Sequence, residues 1–356
     1  MSATPDYIVP TGDFITEWME DEGINAAEMS RRLGVSRKHV GELLNGEATL
    51  SQDLALALER VTNVPARIWN LHEAGYRSDL ARARGIDDLE GQYSRAQQFP
   101  LTYLRKQGYI SASARDRAGT VRELLSFLGV ANLPAFDASW SAGSIAYRRR
   151  AVVRDHAPAL AVWLRLAERH DRLRDLPPFD ADALRSLIPQ MRSLTLLDPD
   201  EGMSLAVERL ARVGVALSAH PAIPGLGIHG VTRWLNGHPV IQLSCLMKTD
   251  DQIWFTLFHE LGHVLLHGDK ELYVTGDETA EEGEANDYAA EVLVPREYVE
   301  RLPQRRDLTA VTALAEELGV APSIVLGRAQ RETTDYGWGH ALKRRVDWAA
   351  SSSAEE

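Results

Sequence analysis

"FTLFHELGHVLLHG", residues 255–268, decides how the rest of the chain is read. His259 and His263 are four residues apart, so on an α-helix they share one face and can bind one metal ion. Glu260 stands beside the first histidine, where its carboxylate can reach a metal-activated water. Zinc would make that water acidic enough to attack a peptide bond near neutral pH, with Glu260 taking its proton and returning it to the leaving amine. Phe255, Leu257, Phe258, Leu261, Val264, Leu265 and Leu266 make the rest of the helix apolar, and an apolar shell strengthens the field of a metal by limiting water. Gly262 leaves room for a second helix to pack closely. The competing reading is an amphipathic helix that merely contains histidines.

Two histidines and a water leave one protein ligand to find. His267 is eight residues beyond His259, roughly 12 Å along a helix axis, so it cannot share the ion with both others and is read as a polar helix end. The stretch "TAEEGEANDYAAEVLVP" (279–295) offers carboxylates on a later helix: Glu281, Glu282 and Glu284. Glu282 is preferred because Asn286 lies at i+4 on the same face, where its amide can hydrogen-bond a ligand histidine and set its tautomer. The alternative is a solvated acidic helix start, where carboxylates are favoured in any case.

The surrounding pattern supports a small sheet under this helix. After a helix "MSLAVERLARVG" (203–214) come three strand-like runs, "VGVALSAH", "LGIHGVTRWL" and "PVIQLSCL". In the last, Val240, Gln242 and Ser244 alternate with Ile241, Leu243 and Cys245, and Asn236-Gly237 marks a hairpin turn. The single cysteine, Cys245, excludes an intrachain disulfide and suits a reducing cytoplasm; it is read as a strand residue. No N-terminal basic start leads into an apolar run and no 18-residue apolar stretch exists, so neither a signal peptide nor a membrane span is expected. The net charge of −12 argues against nucleic acid for the chain as a whole, but charge has to be read locally.

Locally the N-terminus reads differently. "NAAEMSRRLGVSRKHVGELLNGEATLS" (25–51) has a helix, a tight turn at Gly34-Val35, and a second helix capped by Ser36. Ala27, Leu33, Val35, Val40 and Leu43 fall where a helix-turn-helix buries its apolar residues. Residues 1–84 hold nine Lys/Arg against thirteen Asp/Glu, so the segment is acidic overall, yet Arg31, Arg32, Arg37 and Lys38 cluster around the turn. Such a patch is enough for phosphate contact. Candidate DNA contacts are Arg31, Arg32, Ser36, Arg37, Lys38, His39 and Asn45, those at the start of the second helix reaching base edges. The alternative is an interaction module with a solvated basic face. "AEELGVAPSIVLGRAQ" (315–330) echoes this segment, but Glu316 and Glu317 replace Arg31 and Arg32, which makes it a packing element.

The expected fold is mainly α with a small β-sheet. The expected divisions are 10–84 helix-turn-helix, 85–200 a helical middle segment broken at Pro100, Pro134, 175–180 and Pro189, 201–300 the metal domain, 301–348 C-terminal helices, and 349–356 a disordered tail.

The stretches 230–268 and 282–295 together resemble the ImmA/IrrE metallopeptidase domain. That resemblance implies a thermolysin-like zinc domain with His259, His263 and Glu282 on Zn2+, Glu260 as base, and repressor proteins as substrates. Residues 25–77 resemble the XRE-type helix-turn-helix of HigA-like antitoxins, and "VAPSIVLGRAQRE" with "LKRRVDW" extends that likeness to the C-terminus. Together these imply a cytoplasmic transcriptional regulator that binds double-stranded operator DNA, as a homodimer on a palindrome. It would cleave a partner repressor or itself to relieve repression in a stress, phage or toxin-antitoxin setting. The alternative is an antitoxin-type repressor, with a cognate toxin as partner, whose zinc domain only senses or scaffolds.

Overall fold

The computed structural model describes residues 8–143, 151–168, 175–244, 246, 248–268, 273–274, 279–303 and 306–347. Cys245 and the tail 349–356 lie outside them. The chain divides into two compact units, Met1–Ser94 with Ala112–Arg122, and Arg95–Ser111 with Glu123–Glu356.

In the first unit, α1 (Thr11–Asp21), α2 (Ala26–Leu33), α3 (Arg37–Leu44), α4 (Gln52–Thr62) and α5 (Ala66–Gly91) follow one another with short turns. Each start has a local cause. The Asn25 side chain accepts hydrogen bonds from Ala27 N and Glu28 N, Ser36 from His39 N, and Ser51 from Leu54 N, satisfying amides that a helix start leaves unpaired. Gly34 ends α2 at φ +70°, a conformation costly for any residue with a Cβ. Leu33, Val40 and Leu43 are buried as the spacing predicts. Ala27 and Val35 are only half-buried, whereas Met29 is fully buried in the core of this unit. A buried carboxylate ties the loop after α3 to α1 and α5. Glu73 accepts from Thr11 Oγ1 (2.7 Å), Leu50 N (3.1 Å) and Arg77 Nε (2.8 Å), while Arg77 also donates to Gly46 O and Ala48 O.

The helical middle continues as α6 (Tyr93–Ala96), α7 (Leu101–Lys106), α8 (Arg117–Leu128), α9 (Leu133–Gly143), α10 (Ala151–Glu168), α11 (Ala181–Ser193) and α12 (Pro199–Ala211). The chain does break just before Pro134, between α8 and α9, but the break expected at Pro189 is absent. Pro134 sits in the first turn of α9, where its missing N–H costs nothing, and Pro189 lies inside α11, which continues to Ser193. The helix over 203–214 starts earlier, at Pro199, because Asp198 caps it.

The sheet of the second unit has the order β1-β3-β2-β4, with β1 Ala216–Ala219, β2 Gly230–Leu235, β3 His238–Leu243 and β4 Tyr273–Val274. β1 runs parallel to β3, and β2 pairs antiparallel with both β3 and β4. Asn236 and Gly237 both take positive φ (54° and 84°), the pairing a two-residue hairpin needs. Both faces of the sheet are covered. Ile241 and Leu243 join the core formed with α13 (Asp250–Leu266). On the opposite face Gln242 Nε2 donates to Trp163 O of α10 (2.6 Å). Arg233 donates to Leu164 O (2.6 Å) and to the Glu168 carboxylate (2.7 Å). The period of two is therefore real, but it separates two buried faces rather than a wet face from a dry one.

After β4 come α14 (Ala280–Leu293), a 3-10 turn at Arg296–Arg301, α15 (Leu308–Leu318) and α16 (Pro322–Thr333). Asp250, fully buried at the start of α13, accepts from Ser323 Oγ (2.7 Å) and from Arg344 N (3.0 Å) and Nε (2.7 Å), so the C-terminal segment clamps this helix. The pair α15–α16 repeats the turn geometry of α2–α3, with Gly319 at φ +66°. Ser323, Ile324, Val325 and Leu326 point into the core, so it is a packing element. No single described helix is long and apolar enough to cross a membrane.

Burial raises the Glu168 pKa, but Arg233 and Arg165 outweigh it and hold the carboxyl below its usual range. A folded pKa below the unfolded one gives stability that is present above the unfolded value and lost as pH falls. Glu168→Gln is therefore expected to cost about 1–3 kcal/mol near neutral pH, with the gap from wild type closing below about pH 4 in denaturant titrations.

Candidate metal centre and nucleic-acid interface

Helix α13 brings His259 and His263 to one face, and α14 crosses close to it at Gly262. A Cβ on Gly262 would stand 3.2 Å from Ala285 Cα and 3.2 Å from the Tyr288 ring, so a larger residue would push α14 away. That approach delivers Glu282 to the histidines. Its carboxylate oxygens lie 3.2 Å from His259 Nε2 and 3.3 Å from His263 Nε2, and the two Nε2 atoms are 3.0 Å apart. All three side chains are buried, and their ligand atoms fall within 4.8 Å of one another.

The hydrogen bonds around this set decide whether it suits a cation. His259 Nδ1 faces Asn286 Oδ1 at 3.1 Å, and an amide oxygen can only accept, so Nδ1 carries the proton and Nε2 turns a lone pair inward. On the far side His263 Nδ1 meets His267 Nδ1 (3.0 Å), while His267 Nε2 meets the Glu284 carboxylate (3.0 Å). Glu284 can only accept, so His267 donates to it from Nε2. Its Nδ1 then accepts from His263, and the Nε2 of His263 is also left with a lone pair. Two lone pairs and a carboxylate converging in a buried space repel one another unless a cation or proton lies among them. The donors present therefore fit a divalent ion.

With protons rather than a cation in this space, burial would raise the Glu282 pKa, but Nε2–H donation and positive charge from protonated His259 and His263 outweigh it and hold it down to about 2. Burial and the neighbouring His259 lower His263, whereas Glu282 and Glu260 outweigh burial at His259 and raise it.

The structure thus brings together His259, His263, Glu282 and Asn286. His267 stays off the centre, at the C-terminal end of α13, but it is more than a polar helix end, because it orients His263. Glu284, the rival ligand on sequence grounds, serves that relay. Glu260 is fully buried, and the Thr232 hydroxyl lies 2.7 Å from its Oε2 and 3.2 Å from its backbone oxygen. A Cβ on Gly230 would collide with the same carboxylate. Gly230 and Thr232 share one face of β2, two residues apart, but only strand register reveals that this face meets Glu260. His229, just before β2, lines a cavity with His259, and burial lowers its pKa, which keeps the ring neutral.

In the first unit Arg37 is exposed and makes no ion pair with any described residue. Arg31 and Arg32 are exposed too, though Glu28 holds both. Glu42 lies 3.4 Å from Lys38 and 3.9 Å from His39, so part of the patch is internally compensated. Ser36 spends its oxygen on the cap of α3, and Asn45 is exposed at the end of that helix.

Residues 15–69 match the family described as helix-turn-helix, and residues 222–330 match a peptidase family described as the IrrE N-terminal-like domain. No curated protein matches the chain. The two matches support an XRE-type helix-turn-helix segment and an ImmA/IrrE-like, peptidase-like segment joined in one chain. A HigA-like subtype is not distinguished.

If this centre holds an ion, purified protein should carry about one per chain, and Glu282→Ala should lose it. Asn286→Ala should weaken binding by roughly 10- to 100-fold, read by competition with a chelating dye.

Proposed function

We propose that the protein is a DNA-binding transcriptional regulator whose second unit is a zinc-dependent endopeptidase, cleaving a partner repressor or the chain itself to relieve repression. The observation that carries this reading is the placement of Glu260 beside a buried His/His/Glu set, with its carboxylate held by Thr232.

His259, His263 and Glu282 would hold the ion, and imidazole with carboxylate is a donor set suited to Zn2+. When bound, the ion supplies Lewis-acid polarisation. Glu260 takes a proton from the attacking water and later delivers it to the leaving amine. The Thr232 hydroxyl orients the carboxylate by donating to Oε2, and Gly230 leaves space for it. The apolar frame of Leu257, Phe258 and Leu261 excludes bulk water, so the charges act at low dielectric.

In the first unit α3 would enter the major groove of double-stranded operator DNA. Arg37, Lys38 and His39 at its start would meet bases or phosphates, and Arg31, Arg32, Ser36 and Asn45 would meet the backbone. A homodimer on a palindrome would place two such helices one DNA turn apart.

One observation favours a second reading. Glu260 is fully buried with one oxygen engaged, and closed metal sites are more often structural than catalytic. In that reading the chain is an antitoxin-type repressor whose metal unit senses or scaffolds.

Glu260→Gln separates the two: it should keep metal and DNA binding and abolish cleavage-linked derepression. Derepression unchanged in that variant would sink the endopeptidase. For the other unit, Arg37→Ala with Lys38→Ala should weaken operator binding by roughly 2–5 kcal/mol in a gel-shift or anisotropy titration. Unaltered affinity would make the unit a protein-binding module.

A further inference from the structure

A cavity of about 330 Å³ opens beside the metal set, within the range of small-ligand pockets. Asp251, Gln252, Phe255, Thr256 and His259 line it from one face of α13, so it runs roughly 12 Å along that helix from the ligand histidine to Asp251. Opposite stands one face of α16, at i, i+3, i+4 and i+7: Ile324, Gly327, Arg328 and Arg331. Cross-contacts set the register between the two helices. Gly327 lies against the Asp251 carboxylate, and the Arg331 guanidinium sits 5.8 Å from the centre of the Phe255 ring. Arg331 is therefore level with Phe255, about one helical turn from His259.

The charges facing this space are unequal. Asp251 is the one carboxylate among the lining residues, and Lys343 neutralises it at 2.7 Å. Arg328 is bridged to Glu332, which lies outside the lining (2.9 Å), and its Nε has no partner. Arg331 is exposed and forms no ion pair with any described residue. The walls beside it are apolar: Phe255, Leu293, Val294 and Ile324. Three buried oxygens of lining residues, Gln252 Oε1, Gln330 Oε1 and Asp251 Oδ1, lack hydrogen-bond partners, and all three have almost no accessible surface, so the free cation of Arg331 is what an entering group meets. Gln330 is 1% exposed and its Nε2 donates to Trp338 O (2.6 Å), which fixes this side chain in the wall. An anion with an apolar stem answers both the unpaired cation and the apolar walls, and a peptide residue with an acidic side chain has both parts. Arg331, Tyr336 and Lys343 come from chain beyond residues 222–330, while Ile324, Gly327 and Arg328 lie within them.

We propose that this cavity is a subsite selecting an acidic residue, with the carboxylate on Arg331 and its aliphatic stem against Phe255 and Ile324. The ligand chemistry is a carboxylate on a short apolar stem. Its source is the peptide substrate, so the inference rests on the endopeptidase reading; a free N-acyl amino acid would present the same groups.

The test uses full-length, zinc-loaded protein and a library of peptides from a proteome digest, with cut positions read by mass spectrometry. One position near the cut should be enriched in Asp and Glu. Arg331→Glu should lose that enrichment, roughly 10- to 100-fold in relative rate, and shift it to Lys and Arg. Metal content of the variant serves as the control for folding. Cleavage with no acidic preference, or with one that Arg331→Glu leaves unchanged, overturns the subsite and leaves the endopeptidase standing. If nothing is cut, calorimetry with N-acetylglutamate and N-acetylglutamine decides. Binding of the acid over the amide, lost in Arg331→Glu, keeps the subsite as a site for a free acid and removes the endopeptidase. Equal or absent binding of the two overturns the inference.

Discussion

The close crossing of α14 over α13 at Gly262 is the constraint on which the rest of the second unit depends. A carboxylate inserted between two imidazoles cannot be held by its own attraction alone, because each group loses water on burial. What holds it is apolar packing on either side: Leu257, Phe258, Leu261 and Val264 from α13, and Ala285, Ala289 and Leu293 from α14. Burying a large aliphatic or aromatic side chain is worth about 1.5–3 kcal/mol, so a handful offsets the desolvation of a small polar cluster. The cluster is a passenger on a hydrophobic interface, and its geometry is as exact as that interface is tight.

Tautomers then turn a cluster into a candidate centre. Asn286 on one side and the His267–Glu284 pair on the other hold the Nδ1 protons, so both Nε2 lone pairs turn inward. The two devices differ chemically yet have the same consequence. Asn286 is one turn from Glu282 on the same helix, and Glu284 lies two residues from Glu282, so α14 supplies the candidate ligand, one orienting amide and the carboxylate that anchors His267 from about one turn of chain. Substitutions in this turn are therefore coupled, and their effects on metal affinity should not add.

How much of this was legible in the sequence depended on the range of the signal. The His-x-x-x-His spacing, the Glu282–Asn286 pair and the cap at Ser36 are local, set by the 3.6-residue period or by the adjacent amides. They could be read directly, as could the strands and the Asn236-Gly237 turn. Pro189 misled because a proline inside a helix costs one hydrogen bond, which tertiary packing of Leu184, Ile188 and Met191 outweighs. The role of His267 was hidden because it needs Glu284 from another helix, and Thr232 was hidden because its partner depends on strand register. The alternation in β3 was visible, but not that α10 would cover its second face. Each miss is a contact between residues far apart in sequence.

The pair α15–α16 shows the same limit from the other side. "LGVAPSIV" and "LGVSRKHV" encode one local structure: a helix closed by a left-handed glycine, a valine in the turn, and a second helix begun at once. The turn cannot tell which copy reads DNA. The difference lies in the three residues that open the second helix. Arg37, Lys38 and His39 cannot be buried unpaired without heavy cost, so α3 keeps them toward solvent. Pro322, Ser323 and Ile324 carry no charge, and the single hydroxyl is satisfied by Asp250, so α16 can turn this end into the core. Its cations, Arg328 and Arg331, come one and two turns later and line the cavity beside the metal set. One backbone motif thus serves two purposes, and the placement of charge along its second helix selects between them.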